Sequence, residues 1–288
     1  AEITIECNPG TADRSKLEVL FRGGFNRLSI GLQAWQDHHL KLLGRIHDSR
    51  QFTATVDWAR EAGFSNISAD VIFGLPGQTW DEWRETLLNA VSTGITHLSA
   101  YSLKIEEGTV FYKWLKQGKI TEMDDEQERN LYHKGIDLLE DLGFRQYEIS
   151  NFALPGLECR HNLNYWRNGE YIGCGCSAHS CYKSVRRANV ADVEQYIERV
   201  HSGQSLADYH EKIDAHSELF ETLMLGFRLK EGINKKAFQN RFGFSLHERY
   251  GETIEKLKKQ GLIIEDEQAY RPTPQGFDFQ NRIAVAFL

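Results

Sequence analysis

Two β-patterned runs separated by one helical run constrain this chain more than any other feature. Arg27-Leu28-Ser29-Ile30-Gly31-Leu32-Gln33 alternates Leu28, Ile30 and Leu32 with Ser29 and Gly31, and Ile67 to Phe73 is a second apolar run closed by Gly74-Leu75-Pro76-Gly77. Between them Phe52, Val56, Ala59 and Ala62 keep helical spacing as far as Gly63, a stop signal. Strand, helix, strand is a βαβ crossover, whose strands lie parallel and whose ligands gather at the strands' carboxyl ends. Gln33, which closes the first strand, is therefore expected to face a site.

The flanking sequence extends the same rhythm. Ile3 and Ile5 alternate with Thr4 and Glu6 until Asn8-Pro9-Gly10-Thr11 breaks the strand, and a helix carrying Leu17, Leu20 and Phe21 runs to Gly23-Gly24. After the crossover come a helix from about Thr79 to Thr93 and a fourth strand from His97 to Leu103. Four βα repeats without a hairpin signal predict a parallel sheet, open or closing towards a barrel, with Trp58, Trp80 and Trp83 packing helices onto it. Asp124 to Leu142 reads as a charged helix whose acidic start is a solvated face, and Gln146 to Ile149 as another strand. Asn151 to Tyr182 is irregular and rich in Cys, His and Gly, the composition of a segment that covers a site. From about Ala215 three helices and a short hairpin predict a winged-helix-like module. The expected fold is thus α/β: a partial (β/α) barrel with its covering segment over 1–190, a connecting helix over 191–214, and an α+β domain over 215–288.

Composition removes several function classes. The 288 residues, 41% of them hydrophobic, suffice for one large domain and a smaller one. A net charge of -7 and a pI near 5.9 argue against a nucleic-acid binder that relies on a basic surface. No apolar run approaches the roughly 20 residues of a membrane span. Five cysteines, odd in number and unevenly spread, do not resemble a secreted disulfide framework and point to a reducing, cytoplasmic compartment. The opening Ala1-Glu2-Ile3-Thr4-Ile5 starts directly in strand pattern, with neither Met nor a signal peptide, and reads as an internal start.

Five separated motifs carry a family resemblance: Glu6 to Thr11 (ECNPGT), Arg27 to Gln33 (RLSIGLQ), Gly44 to His47 (GRIH), Asp70 to Thr79 (DVIFGLPGQT) and His161 to Trp166 (HNLNYW). In that order they resemble the radical S-adenosylmethionine proteins related to oxygen-independent coproporphyrinogen III oxidase, along nearly the whole chain. The last motif and the Gly173-Cys174-Gly175-Cys176 run resemble the heme-chaperone branch more than the oxidase.

The resemblance implies a partial radical barrel lacking its first units, a [4Fe-4S] cluster, S-adenosylmethionine as cofactor, and heme or porphyrin as cargo. It also implies a heme-accepting apoprotein as partner and a homodimer as an oligomeric option. The main expectation is heme binding and delivery; the alternative is oxidative decarboxylation of porphyrinogen propionates. The family's cluster motif, Cys-x3-Cys-x2-Cys, is not in this sequence, so the ligand cysteines are expected upstream of Ala1.

Carried over one by one, the cofactor positions are Glu6, whose carboxylate accepts hydrogen bonds, and Gln33, whose amide both donates and accepts. Arg45 matches a forked pair with the methionine carboxylate, and Asp70 an acceptor for ribose hydroxyls. Lys104 and His179 match positions near the adenine. Cys174, Cys176, His179 and Cys181 are weighed as zinc ligands against a strand whose backbone approaches a cofactor closely. His161, with Cys159 as a lesser option, is a candidate axial ligand of heme iron.

Overall fold

The alternation read in the sequence becomes a sheet with two chemically different faces. The structure, a computed structural model, describes residues 1–288 and divides into two units, Ala1–Cys159 and Arg160–Leu288. In the first, strands β1 (Thr4–Cys7), β2 (Arg27–Gln33), β3 (Asn66–Phe73) and β4 (His97–Ser102) lie side by side and parallel, in chain order. Helices α1 (Arg14–Arg22), α2 (Asp37–Leu42), α3 (Ser49–Ala62) and α4 (Trp80–Ser92) occupy the connections, and α5 (Val110–Lys116) and α6 (Asp125–Asp141) follow.

Side chains of a strand point alternately to opposite faces, so register decides what each face is made of. One face carries Ile5, Leu28, Ile30, Ile67, Ala69, Val71 and Leu98, packed with Leu17 of α1, Phe52 and Val56 of α3, Trp83 and Leu87 of α4, and Leu131 and Leu139 of α6. Trp83 is fully buried there, while Trp58 and Trp80 pack at its margin, as expected for helix-to-sheet contacts. The other face is polar. Glu6, Ser29, Ser68 and His97 form one cross-strand row, and Gly31, Asp70, Ser99 and Asn151 form the next. A buried sheet with a polar second face is built to hold something polar, because buried polar groups need partners.

The parallel order ends sooner than the sequence implies. Instead of one strand over Gln146 to Ile149 there are two short ones, β5 (Arg145–Gln146) and β6 (Asn151–Ala153), with β6 antiparallel to both β4 and β5. The turn between them is made by Glu148, whose Oε1 accepts the Ser150 N–H at 2.9 Å and also the Asn151 side-chain amide. That side-chain contact breaks the strand.

At the base of the polar face His97 is fully buried, its Nδ1 2.8 Å from Ser68 Oγ and its Nε2 2.8 Å from the Tyr147 hydroxyl. Burial, with Arg27 nearby, holds its pKa well below the ordinary value. The unfolded chain then binds a proton below about pH 6.5 that the folded chain refuses, so stability falls as pH drops through that value, by up to about 1.4 kcal/mol per unit. Asp70, whose raised carboxyl sheds its penalty on acidification, works in the opposite direction. Urea unfolding is therefore expected to lose midpoint between about pH 7 and about pH 5.5 in the parent protein, and to lose less in His97→Gln. Equal slopes in the two proteins would contradict a neutral buried imidazole.

The second unit contains α7 (Arg160–Trp166), an antiparallel sheet of β7 (His179–Tyr182), β8 (Val185–Asn189) and β9 (Ala207–Lys212), and α8 (Val193–Ser202). Residues 191–214 thus hold a helix and also an edge strand, largely exposed and so without the apolar alternation that would have marked it. Then come α9 (Ala215–Gly226), β10 (Ile233–Asn234), α10 (Lys235–Phe242), α11 (Leu246–Lys259), β11 (Ile263–Glu265), β12 (Ala269–Pro272), α12 (Pro274–Asp278) and α13 (Gln280–Val285). Three helices and the β11–β12 hairpin surround a core of Leu219, Leu223, Phe227, Ile254 and Phe287, the winged-helix-like arrangement the pattern predicts, with β10 added to the hairpin. No helix is long and apolar enough to cross a membrane.

Candidate functional site

Asp70 is the centre of the polar face. It lies between Gly31 and Ser99 in register, and Ser29 Oγ donates to its two oxygens at 3.1 and 3.0 Å. Burial pushes its carboxyl up from the ordinary value, the hydroxyls of Ser99 and Ser29 and the charge of Arg27 pull it down, and Glu6 pushes it up again. A carboxylate fixed by two neutral hydroxyls and still short of partners is a ready acceptor for a ligand's hydroxyl groups. The same field reaches Tyr101, whose phenol is raised first by burial and then by Asp70, Glu148 and Glu6.

Above Asp70 the strand ends converge. Gln33 is buried yet has φ 69°, a left-handed backbone that a non-glycine residue adopts at a cost, and the β2–β3 register shifts there. Its amide folds over Gly31: a Cβ on that glycine would meet Gln33 Nε2 at 2.6 Å and Asn8 Oδ1 at 3.1 Å. Arg45 Nη1 in turn lies 3.4 Å from Asn8 Oδ1. Its loop is anchored by the last residue of the Gly-Arg-Ile-His motif, since His47 is buried with Nε2 3.3 Å from the Leu32 carbonyl oxygen. Burial lowers the His47 pKa against that hydrogen bond, leaving a neutral ring that serves as a peg. On β3, Gly74 and Gly77 both have positive φ and shape the turn into α4, whose N-cap is Thr79.

Glu6 and Asp70 therefore stand in successive rows of one sheet face, Gln33 closes β2 beyond them, Arg45 reaches Asn8 from the loop before α3, and Lys104 stands exposed just past the end of β4. Asn8, Ser29, Ser99, Glu148 and Asn151 are members that motif reading passed over. For Ser29 and Ser99 the signal was a polar residue alternating with apolar ones in a strand fit for burial, whereas Asn8 lies past the end of β1 and Glu148 in the turn after β5. His179 lies in the second unit, exposed on β7 opposite Ala188.

The five cysteines form no disulfide and do not converge. Cys7 is on the apolar face, where burial and Asp70 push its thiol up to about 11, the reverse of what a metal-binding thiolate requires. Cys159 is buried, Cys174 is exposed, and burial raises the Cys181 thiol. The one group of three or more Cys, His, Asp or Glu ligand atoms within 4.8 Å of each other contains no cysteine. The residues present thus fit neither a [4Fe-4S] cluster nor the zinc site weighed for Cys174, Cys176, His179 and Cys181. What the glycines there accommodate is the chain itself: a Cβ on Gly173 would meet the His179 carbonyl oxygen.

His161 sits on α7 with its ring edge-on to Tyr165 at 4.7 Å, and Tyr165 contacts Tyr171 at 4.5 Å. Tyr165 and Tyr171 line a cavity of about 340 Å³ together with Trp166, Cys181 and Arg186.

Comparison with known proteins was made on this geometry. Residues 1–90 match the family described as the Radical SAM superfamily, and residues 213–279 the HemN C-terminal domain. The chain is similar to "Heme chaperone HemW" of Bacillus subtilis, 38% identical over all of this chain and 76% of that protein. It is also similar to "Heme chaperone HemW" of Escherichia coli, 32% identical over all of this chain and 75% of that protein. Among solved structures, coproporphyrinogen III oxidase (HemN) from Escherichia coli superposes with a TM-score of 0.82 at 22% identity, covering all of this chain and 69% of that one, which establishes a shared fold.

Proposed function

Given that this chain belongs to the HemW-related radical SAM family, we propose that it binds S-adenosylmethionine at the carboxyl ends of β1–β4 and carries heme for delivery to an acceptor protein. The observation that carries the cofactor part is the donor set on one sheet face: a buried Asp70 between hydroxyls, with Gln33 and Arg45 at the strand ends above it. Asp70 and Glu6 would accept from ribose hydroxyls, Arg45 would pair with the methionine carboxylate, and Gln33 would serve either. Lys104 is the proposed adenine-side residue of the first unit. When bound, S-adenosylmethionine supplies a sulfonium whose reductive cleavage is the chemistry that gives the family its name. The chain's own part is to bind, orient and neutralise.

The heme part is supported by the names of the relatives and by the aromatic cavity near His161, which offers ring faces for a porphyrin. His161 is the proposed axial ligand. Heme titration followed by absorbance, beside an assay of coproporphyrinogen decarboxylation, tests this reading. Saturable heme binding that His161→Ala perturbs, with no decarboxylation, is expected. Decarboxylation without heme binding would instead make the chain an oxidase like the solved protein that shares its fold.

A further inference from the structure

Away from the strand-end cluster, three ligand-bearing side chains meet where two helices begin. His38 and His39 occupy the first turn of α2 and Glu82 the first turn of α4, with one ligand atom of each within 4.8 Å of the others. His38 Nε2 lies 3.2 Å from Glu82 Oε1, His39 Nε2 lies 3.5 Å from Glu82 Oε2, and the two imidazole centroids are 4.1 Å apart. We propose that His38, His39 and Glu82 form a binding site for a divalent transition-metal ion of the zinc class, clamping the segment after β2 to the segment after β3.

Four observations support this independently of the proposed function. His39 is 2% exposed, its Nδ1 has no hydrogen-bond partner, and its Nε2 meets only Glu82 Oε2, at 3.5 Å. A buried imidazole with one ring nitrogen unpaired and the other at the limit of a hydrogen bond is unusual, and a metal ion would supply the missing partner. Second, the His38 Nε2 to Glu82 Oε1 separation of 3.2 Å is close to the edge of a tetrahedron with arms of about 2.0 Å, roughly 3.3 Å, the geometry of zinc held by imidazole and carboxylate. Third, Glu82 is oriented from behind: its Oε2 accepts from the Thr79 N–H at 2.9 Å and from the Thr79 hydroxyl at 3.0 Å, which leaves Oε1 towards His38. Metal-ligating carboxylates are typically held in this way by an outer hydrogen bond. Fourth, the His38 side chain is 65% exposed, so an ion has a way in and a water molecule can complete the coordination.

Two imidazoles and one carboxylate favour zinc, cobalt or nickel over calcium or magnesium, which prefer all-oxygen shells. The consequence for the fold is local. Leu40 and Leu75 already pack together beside these helices, and an ion across His38, His39 and Glu82 would fix the two strand-end loops to each other.

Cobalt(II) titrated into chelator-treated full chain tests the site, with zinc as the competitor. One cobalt per chain with the intense visible bands of a tetrahedral ion, displaced by zinc, is expected. His38→Ala, a change at an exposed side chain, is expected to weaken binding at least tenfold, as is Glu82→Gln, which can keep the N-terminal capping box because glutamine serves there too. Both variants should retain the parent circular dichroism; should Glu82→Gln fail to fold, His38→Ala still decides. Unchanged cobalt affinity in His38→Ala, or a thiolate-to-cobalt charge-transfer band that Cys174→Ser abolishes, would overturn the assignment.

Discussion

Asp70→Ala is expected to weaken S-adenosylmethionine binding by about tenfold to a hundredfold, because a hydrogen bond to a charged group contributes about 1.5 to 3 kcal/mol. Folding stability should move the other way or stay level. Burial raises the Asp70 carboxyl, so its ionised form is less at ease in the folded protein than in the unfolded chain, and at neutral pH the side chain contributes against folding. Asp70→Asn, which keeps the shape and removes the charge, is therefore expected to melt no lower than the parent while binding more weakly. Calorimetric titration and a thermal melt on the same samples separate the two effects. A variant that binds normally, or that loses binding only because it unfolds, would remove Asp70 from the ligand site.

The largest effect on stability is expected at Trp83. Its indole is fully buried against Phe73 of β3, with ring centroids 5.5 Å apart, and its Nε1 has no hydrogen-bond partner. The indole edge rests on α6 at Gly135, where a Cβ would come within 2.8 Å of Nε1. Trp83→Ala removes the contact between α4, α6 and the sheet and should cost about 3 to 5 kcal/mol. Trp83→Phe should cost much less, since it retains a ring against Phe73 and eliminates an N–H buried without a partner. Urea midpoints measure both. Equal losses for the two substitutions would mean that packing at this position is not what stabilises the unit.

The sheet was legible because burial and strand geometry act on every second residue. Leu28, Ile30 and Leu32 announced one face of β2, and Gly63 announced the end of α3; the capping box by which Thr79 and Glu82 open α4 is seen in the structure. Half of the site was legible for a different reason, since Glu6, Gln33, Arg45 and Asp70 stand in motifs. The supporting half was not. Ser29 and Ser99 look like ordinary strand residues, and only register places them either side of Asp70. Asn8 matters because Gly31 leaves room beside it, a fact of backbone approach across strands. The β5–β6 hairpin escaped notice because one side chain, Glu148, makes it by bonding to residues two and three positions on. The strands β7 to β9 carry sequences such as Val-Arg-Arg-Ala-Asn, too polar for periodicity to reveal.

The left-handed Gln33 illustrates how function and stability part company at this sheet end. A glycine would adopt φ 69° without strain, yet the position holds a residue whose amide reaches across Gly31 towards Asn8. Strain kept at a site is a sign of use. The same holds for the Asp70 carboxylate, which burial disfavours.

The claim that the carboxyl ends of β1–β4 form the cofactor site is tested most directly by hydrogen–deuterium exchange with and without S-adenosylmethionine. Binding is expected to slow exchange in three stretches of the first unit: Asn8 to Thr11, Gln33 with Gly44 to His47, and Gly74 to Gln78. Asp70→Ala should reduce all three effects together. Protection absent from these stretches, or confined to residues 160–288, would contradict the site described here.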